Sequence, residues 1–291
     1  MIWLQVLVNG LLLGGLYGLF GLGLAFAFGI MRLVNVAHGE FIVLAAYLGA
    51  SLLTVVPVFP LLIVVPVCLA MFAFGWGVQA TLLNRVMSKG PIPPMLITFG
   101  LSITIRNLLV QIYSADVRAI HVGDLELAGW NIAGITIGAF PLLVFTVSLI
   151  VFSVLHFVIT HTRYGRILRA TADDREIIQT FGVDTQKVYN AALGLAAALS
   201  ALAGLLLAMR SSFSPFAGQD RLLISFEVVI VGGLGSMWGA LVGGLALGVA
   251  EVVGLKISPD SGLLFAHMTF FMILIVKSFD FPATNWRRAK P

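Results

Sequence analysis

Long apolar runs separated by short polar connections fill almost the whole chain, and most are long enough to cross a bilayer. A helical crossing takes about 20 apolar residues over roughly 30 Å of hydrocarbon. Such runs lie at 3–30, 40–56, 58–84, 94–113, 139–160, 187–209, 237–255 and 264–279. A ninth, 223–235, is short and carries Gly232, Gly233 and Gly235 at its end, as a re-entrant or broken helix would. The pattern predicts an all-α polytopic membrane protein, a bundle of eight or nine transmembrane helices forming one domain over 1–291. One stretch departs from it. Residues 161–187, HTRYGRILRATADDREIIQTFGVDTQK, carry five Lys/Arg and four Asp/Glu between two apolar runs.

Local signals in that stretch predict a short helix lying parallel to the membrane. Asp173 is placed to accept from the first turn, and Glu176 to reach back as in a capping box. Gly182 is placed for a left-handed C-terminal stop. Between them lie about eight residues, roughly 12 Å of helix. Ile177, Ile178 and Phe181 form an apolar edge opposite Arg175 and Glu176, and Asp184 or Thr185 caps the span that follows. Such an edge either rests on lipid headgroups or inserts into a cytoplasmic partner.

Composition narrows the class. The chain has 291 residues, 59% hydrophobic and 10% charged, with a mean hydropathy of +1.04. Soluble domains carry about 25% charged residues, so no soluble catalytic or ligand-binding domain remains outside the spans. The net charge of +4 serves mainly for orientation. Arg163, Arg166, Arg169, Arg175 and Lys187 put the polar hinge in the cytoplasm, together with Arg85, Lys89 and the tail Arg287, Arg288 and Lys290. The loop 114–138, with Asp116, Asp124 and Glu126 against Arg118, falls outside, as does the N-terminus. MIWLQVLVNGLLLGG lacks a basic n-region and reads as the first span. No dense basic patch points to nucleic acid. Cys68, the only cysteine, excludes disulfides and thiolate metal sites. Glycines at four-residue spacing, Gly14 and Gly18, Gly235, Gly239 and Gly243, then Gly244 and Gly248, predict close helix contacts within the bundle. GLYGLFGLGLAF and GLAAALSALAGL look alike, but no long-period repeat is expected.

Ionisable groups at membrane depth face a cavity or a partner. Arg32, Glu40, Arg106, Glu227 and Glu251 are such groups, and pairing of Arg106 with Glu227 or Glu251 is the expectation, a polar path for a zwitterionic solute the alternative. His38 has no second metal ligand at suitable spacing. His156 and His267 read as hydrogen-bonded packing residues, and Asn35, His38 and Glu40 as groups that tie a tight turn. No clustered catalytic constellation occupies a span, and no Gly-x4-Gly-Lys-Ser/Thr phosphate loop is present.

Four ordered motifs carry a resemblance. They are Asn35-Val36-Ala37-His38-Gly39-Glu40 after a Gly-rich helix, Thr98-Phe99-Gly100-Leu101-Ser102, Tyr164-Gly165-Arg166 through Gly182, and Gly232-Gly233-Leu234-Gly235-Ser236-Met237-Trp238-Gly239. Together they resemble the permease subunits of branched-chain amino acid ABC importers over most of the chain. The resemblance implies that 163–185 is a coupling loop against an ATP-hydrolysing subunit, with Arg166, Ala172, Asp174, Glu176, Ile177, Ile178, Phe181 and Gly182 as contact residues. Ile177 and Ile178 stand where such loops usually have small residues. The translocation-path or motif candidates are Asn35, His38, Gly39, Glu40, Thr98 and Ser102 from the motifs, and Arg106, Glu227 and Glu251 from their charge within the spans. The implied partners are a second homologous permease, two ATP-binding-cassette subunits and an extracytoplasmic solute-binding protein, in a bacterial inner membrane. ATP and Mg would belong to the ATPase partner, with no cofactor in this chain. The solute would be a branched-chain amino acid or a related small polar molecule such as urea, an amide or an organic acid. The alternative is a stand-alone secondary carrier or channel; against it, no pair of broken helices is evident in matching halves.

Overall fold

The computed structural model describes residues 1–132 and 134–279; Arg287, Arg288 and Lys290 lie outside the described residues. Among the described residues nine helices carry the apolar runs. They are α1 (Ile2–Met31), α2 (His38–Val55), α3 (Val64–Val78, prolonged by a 3-10 turn at Pro60–Ile63 and a π turn at Gln79–Leu83), α4 (Ile92–Tyr113), α6 (Ala139–His161), α9 (Thr185–Arg210), α10 (Gly218–Gly232), α11 (Met237–Ile257) and α12 (Gly262–Phe279). Seven of these are long and apolar enough to cross a membrane; α10 and α12 are the shorter two. Between α4 and α6 stand a single turn, α5 (Asp124–Leu127), and a hairpin of β1 (Gly129–Ile132) and β2 (Ile135–Gly138). The polar hinge holds two helices, α7 (Arg163–Asp173) and α8 (Arg175–Thr180).

Hydrogen bonds sort the connections onto two sides. Gln5 exchanges two bonds of 2.7 Å with the backbone of Thr136, and Arg118 pairs with Phe213 through their backbones. The N-terminus, the 114–138 segment and the 211–217 connection therefore share one side. Asn84 donates to Asn190 at 2.8 Å, joining the end of α3 to the start of α9 on the opposite side, with the hinge. This is the alternation that the crossings require.

Small residues set the helix spacing. A Cβ on Gly244 would run into the Gly18 amide nitrogen, and one on Gly248 into Gly14, so α1 and α11 pack backbone to backbone along their length. A Cβ on Gly204 would run into the Ile42 carbonyl, which brings α9 equally close to α2. Contact of this kind replaces the hydrophobic driving force that lipid cannot supply. The glycine stripes are thus seams inside one chain. Gly235 is the exception, lying in the α10–α11 connection with φ +80°.

Two crossings are broken, and they match. Residues 10–31 are free of charge and cover about 33 Å of helix, so Phe20 lies near mid-membrane. The His38 ring reaches the Phe20 carbonyl; after α1 the chain therefore doubles back to mid-depth before α2 begins. α9 ends on the other side, and residues 211–217 return to the same depth before α10 begins. A shift of 180 residues carries Ala37 onto Ala217, the N-caps of α2 and α10. It also relates the packing: α1 lies along α11 as α9 lies along α3, and α1 meets α10 as α9 meets α2. The chain is an inverted repeat, α1–α4 and α9–α12. The expectation of no long-period repeat and no paired broken helices is overturned, because antiparallel halves share geometry without sharing much sequence. The run 40–56 begins at mid-depth instead of crossing from the hinge side, and 223–235 belongs to the second broken crossing.

Candidate functional site

Most of the path candidates meet where α2 begins. Asn35 turns the chain: its side-chain oxygen accepts from the Ala37 amide at 3.0 Å and its carbonyl from the His38 amide at 3.2 Å. Thr98 of α4 pins the same segment, accepting from the Val36 amide at 3.2 Å. His38 does not tie the turn. Its Nε2 lies 2.8 Å from the Phe20 carbonyl of α1 and its Nδ1 3.2 Å from the Ser200 hydroxyl of α9. A carbonyl only accepts, so Nε2 carries the proton and Nδ1 is the acceptor. With both nitrogens engaged, His38 bolts three helices together and offers no nitrogen to a metal.

Gly39 and Glu40 face α10. A Cβ on Gly39 would overlap the Gly218 carbonyl, and one on Gly218 would overlap the Glu40 carboxyl. The two broken helices thus meet N-terminus to N-terminus, with Glu40 in the joint. Glu40 is 1% exposed. Ser102 and Arg106 flank it from α4, yet neither carboxylate oxygen has a hydrogen-bond partner. The positive pole of α10 and the Arg106 guanidinium are the charges that favour it there. Glu40 also leaves the turn to Asn35, contrary to expectation.

The remaining acids are elsewhere and each has a partner. Glu227 of α10 bonds to His267 of α12 at 2.6 Å, and Glu251 of α11 accepts a short hydrogen bond from the Tyr17 hydroxyl of α1. Arg210 and Arg221 lie in the field of the Tyr17–Glu251 pair. Arg106 forms no ion pair among the described residues, so its predicted pairing with Glu227 or Glu251 is wrong: those carboxylates found partners at other heights. Sequence reasoning passed over Ser200, Arg210 and Arg221 and gave Tyr17 no acid partner, while His267 is the hydrogen-bonded packing residue it was read as. Pairing of hydroxyls and imidazoles with distant acids leaves no spacing signal. His156, by contrast, does pack against a neighbour, edge-on to Trp238 at 5.7 Å.

The hinge departs from its prediction in its cap, in a second helix and in its apolar edge. Asp173 ends α7, and Asp174 caps α8 by accepting from the amides of Glu176 at 2.8 Å and Ile177 at 3.0 Å. The N-cap needs an extended backbone, which Asp174 has and Asp173, still helical, lacks. The stretch ahead of it, with Arg166 and Ala172, is helical too, started by the Thr162 hydroxyl on the Gly165 amide at 3.1 Å. α8 ends at Gly182, φ +79°, as predicted. Asp184 caps α9 through the amides of Gln186 and Lys187, and the Lys187 amide above all holds its carboxyl below the usual range. The apolar edge splits: Ile177 and Phe181 are 58% and 77% exposed, while Ile178 is half-buried against the bundle. The Arg175 guanidinium sits over the Tyr189 ring at 5.7 Å, locking α8 to α9. What results is a rigidly held apolar knob on an otherwise polar surface.

Residues 6–277 match the family model described as branched-chain amino acid transport system / permease component. The chain is 29% identical over 270 residues to the high-affinity branched-chain amino acid transport system permease protein BraD of Pseudomonas aeruginosa, covering 89% of this chain and 88% of that protein. It is 26% identical to the permease protein LivH of Escherichia coli K12, covering 86% and 85%. A ribose import permease protein of Haemophilus influenzae is 26% identical, covering 74% and 67%. No solved structure matches the chain.

Proposed function

The chain belongs to the family of permease components of branched-chain amino acid transport systems, and from this we propose that it is the membrane subunit of an ATP-driven importer of leucine, isoleucine or valine. Two permeases would form the path, two ATP-binding-cassette subunits would drive it, and an extracytoplasmic binding protein would deliver the solute. The observation that carries this reading is the knob of α8. Two large apolar side chains held out on a capped helix, between Asp174 and Gly182, have the form of a plug for a cleft in another protein. An edge meant for lipid would turn Ile178 the same way.

In this reading the hinge side is cytoplasmic, as its basic residues favour. The ATPase moves α8, and α7, packed against α1 and α9, passes that motion to the bundle. The hairpin side receives the binding protein. ATP and Mg belong to the partner, and this chain supplies the path. The stand-alone carrier is not retained: the inverted repeat suits carriers and importers alike, but the relatives are permease components.

The test is uptake of labelled leucine into proteoliposomes holding the complete complex, with ATP inside. Uptake that depends on ATP and on the binding protein is expected. Equal uptake without the ATPase subunits would sink the proposal.

A further inference from the structure

The first turn of α10 does more than close on Glu40. Gly218 is buried in that joint, but Gln219 and Asp220 are exposed. They lie within two residues of Gly218, hence near the middle of the hydrocarbon. A charged side chain facing lipid there costs about 2.5–3.5 kcal/mol. Among the described residues Asp220 has no ion pair within the chain to offset this. Water or another subunit, not lipid, therefore covers it.

An independent feature lies across Glu40 on α4. Gly100, Thr104, Asn107 and Gln111 form an exposed stripe at helical spacing. The Asn107 amide nitrogen donates to the Ile103 carbonyl at 2.8 Å, which leaves its side-chain oxygen unused. The exposed side of α3 is apolar, with Leu62, Val65, Leu69 and Trp76. The exposed hydroxyls of α4 and α6 alike are turned back on carbonyls, Thr104 on Gly100, Thr146 on Leu142 and Ser153 on Leu149. α4 alone among these spans shows amide groups outward, beside a half-exposed Arg106.

We propose that Arg106 and Asn107 of α4, with Gln219 and Asp220 of α10, line a water-filled path at mid-membrane. There they bind the zwitterionic head of the passing solute, Asp220 taking the ammonium and Arg106 the carboxylate. Glu40, buried behind them, sits in the joint at the start of α10 with Arg106 in its field. The proposal rests on the permease reading for the identity of the solute. The wetness of the face does not.

Single cysteines at Asn107, Gln219 and Asp220 are made in a Cys68→Ala background, with Leu69→Cys as the lipid-facing control. The complete complex in proteoliposomes is treated with a membrane-impermeant methanethiosulfonate, with and without ATP. The three path positions react in at least one state and Leu69→Cys does not. If all three resist in both states and react only with a lipid-soluble maleimide, the path is overturned. Separately, Asp220→Asn lowers leucine uptake about tenfold or more, the size of one charge-assisted contact, with the complex intact by size exclusion. Unchanged uptake would overturn the head-group assignment. Absence of ATP-driven uptake in the unmodified complex would instead sink the permease reading, and the thiol pattern would still decide whether the face is wet.

Discussion

The two broken crossings begin alike and end differently. Both α2 and α10 start at an alanine N-cap, and both carry an acid at the third position, Glu40 and Asp220. In the first, His38, Gly39 and Glu40 are all buried, their polar atoms aimed at α1, α9 and α10. In the second, only the leading glycine is buried and the next two side chains stand in the open. One repeat has spent its break on assembly. The other, supported by the first, is left free to act. An inverted duplication thus separates holding from handling, where a single broken helix would have to do both.

Gly39 and Gln219 occupy the same place in the two repeats, which makes a matched test. Gly39→Val drives side-chain atoms into the Gly218 carbonyl and the Leu222 backbone, an overpacking that costs about 3 kcal/mol. Gln219→Val leaves the unfolding temperature of the detergent-solubilised protein where it was. Equal losses at both positions would erase the distinction between the repeats. A smaller effect is expected at the hinge. Gly182→Val places a β-branched residue at φ +79°, a strain of about 1–2 kcal/mol, so the protein inserts normally while ATP hydrolysis no longer drives uptake. Normal coupled transport in this variant would remove α8 from the functional set. The smallest effect is local and depends on pH. The Asp184 carboxyl is held below its usual range, so its capping of α9 is present above pH ~4 and fades as pH falls through the lower folded value. Protection of the Gln186 and Lys187 amides, taken relative to the intrinsic exchange rate at each pH, should fall on acidification in the native protein, and show no such step in Asp184→Asn.

Much of the fold was legible because membrane helices write themselves in run length. The short run 223–235 was recognisable as incomplete from its length, although the glycines at its end form the α10–α11 connection and the break lies ahead of Gly218, and the stop at Gly182 was legible from the one residue that tolerates that turn. The break before α2 was hidden, since LVNVAHGEF is apolar enough to pass for a simple loop between two full spans. The pairing of Ala37 with Ala217 was hidden too, because antiparallel repeats conserve packing and the two junctions share only an alanine and an acid. At the site, Asn35 and Gly39 came from one motif, Thr98 and Ser102 from another, and Arg106 from its charge inside a span. Partners such as Ser200 for His38 and His267 for Glu227 lie 162 and 40 residues away, and only the folded bundle brings them near.

The shortness of α10 bears on how the chain is made. At 15 residues, about 22 Å, with Asp220 and Arg221 in its first turn, it is a poor candidate for independent entry into lipid during synthesis. Its lodging at mid-depth relies on α1 and α2, against which it packs, since the joint on Glu40 supplies its resting place. The second repeat is thus a client of the first during biogenesis. A defect at Gly39 would surface as a C-terminal half stranded at the translocon and open to proteolysis, although the lesion lies near the N-terminus.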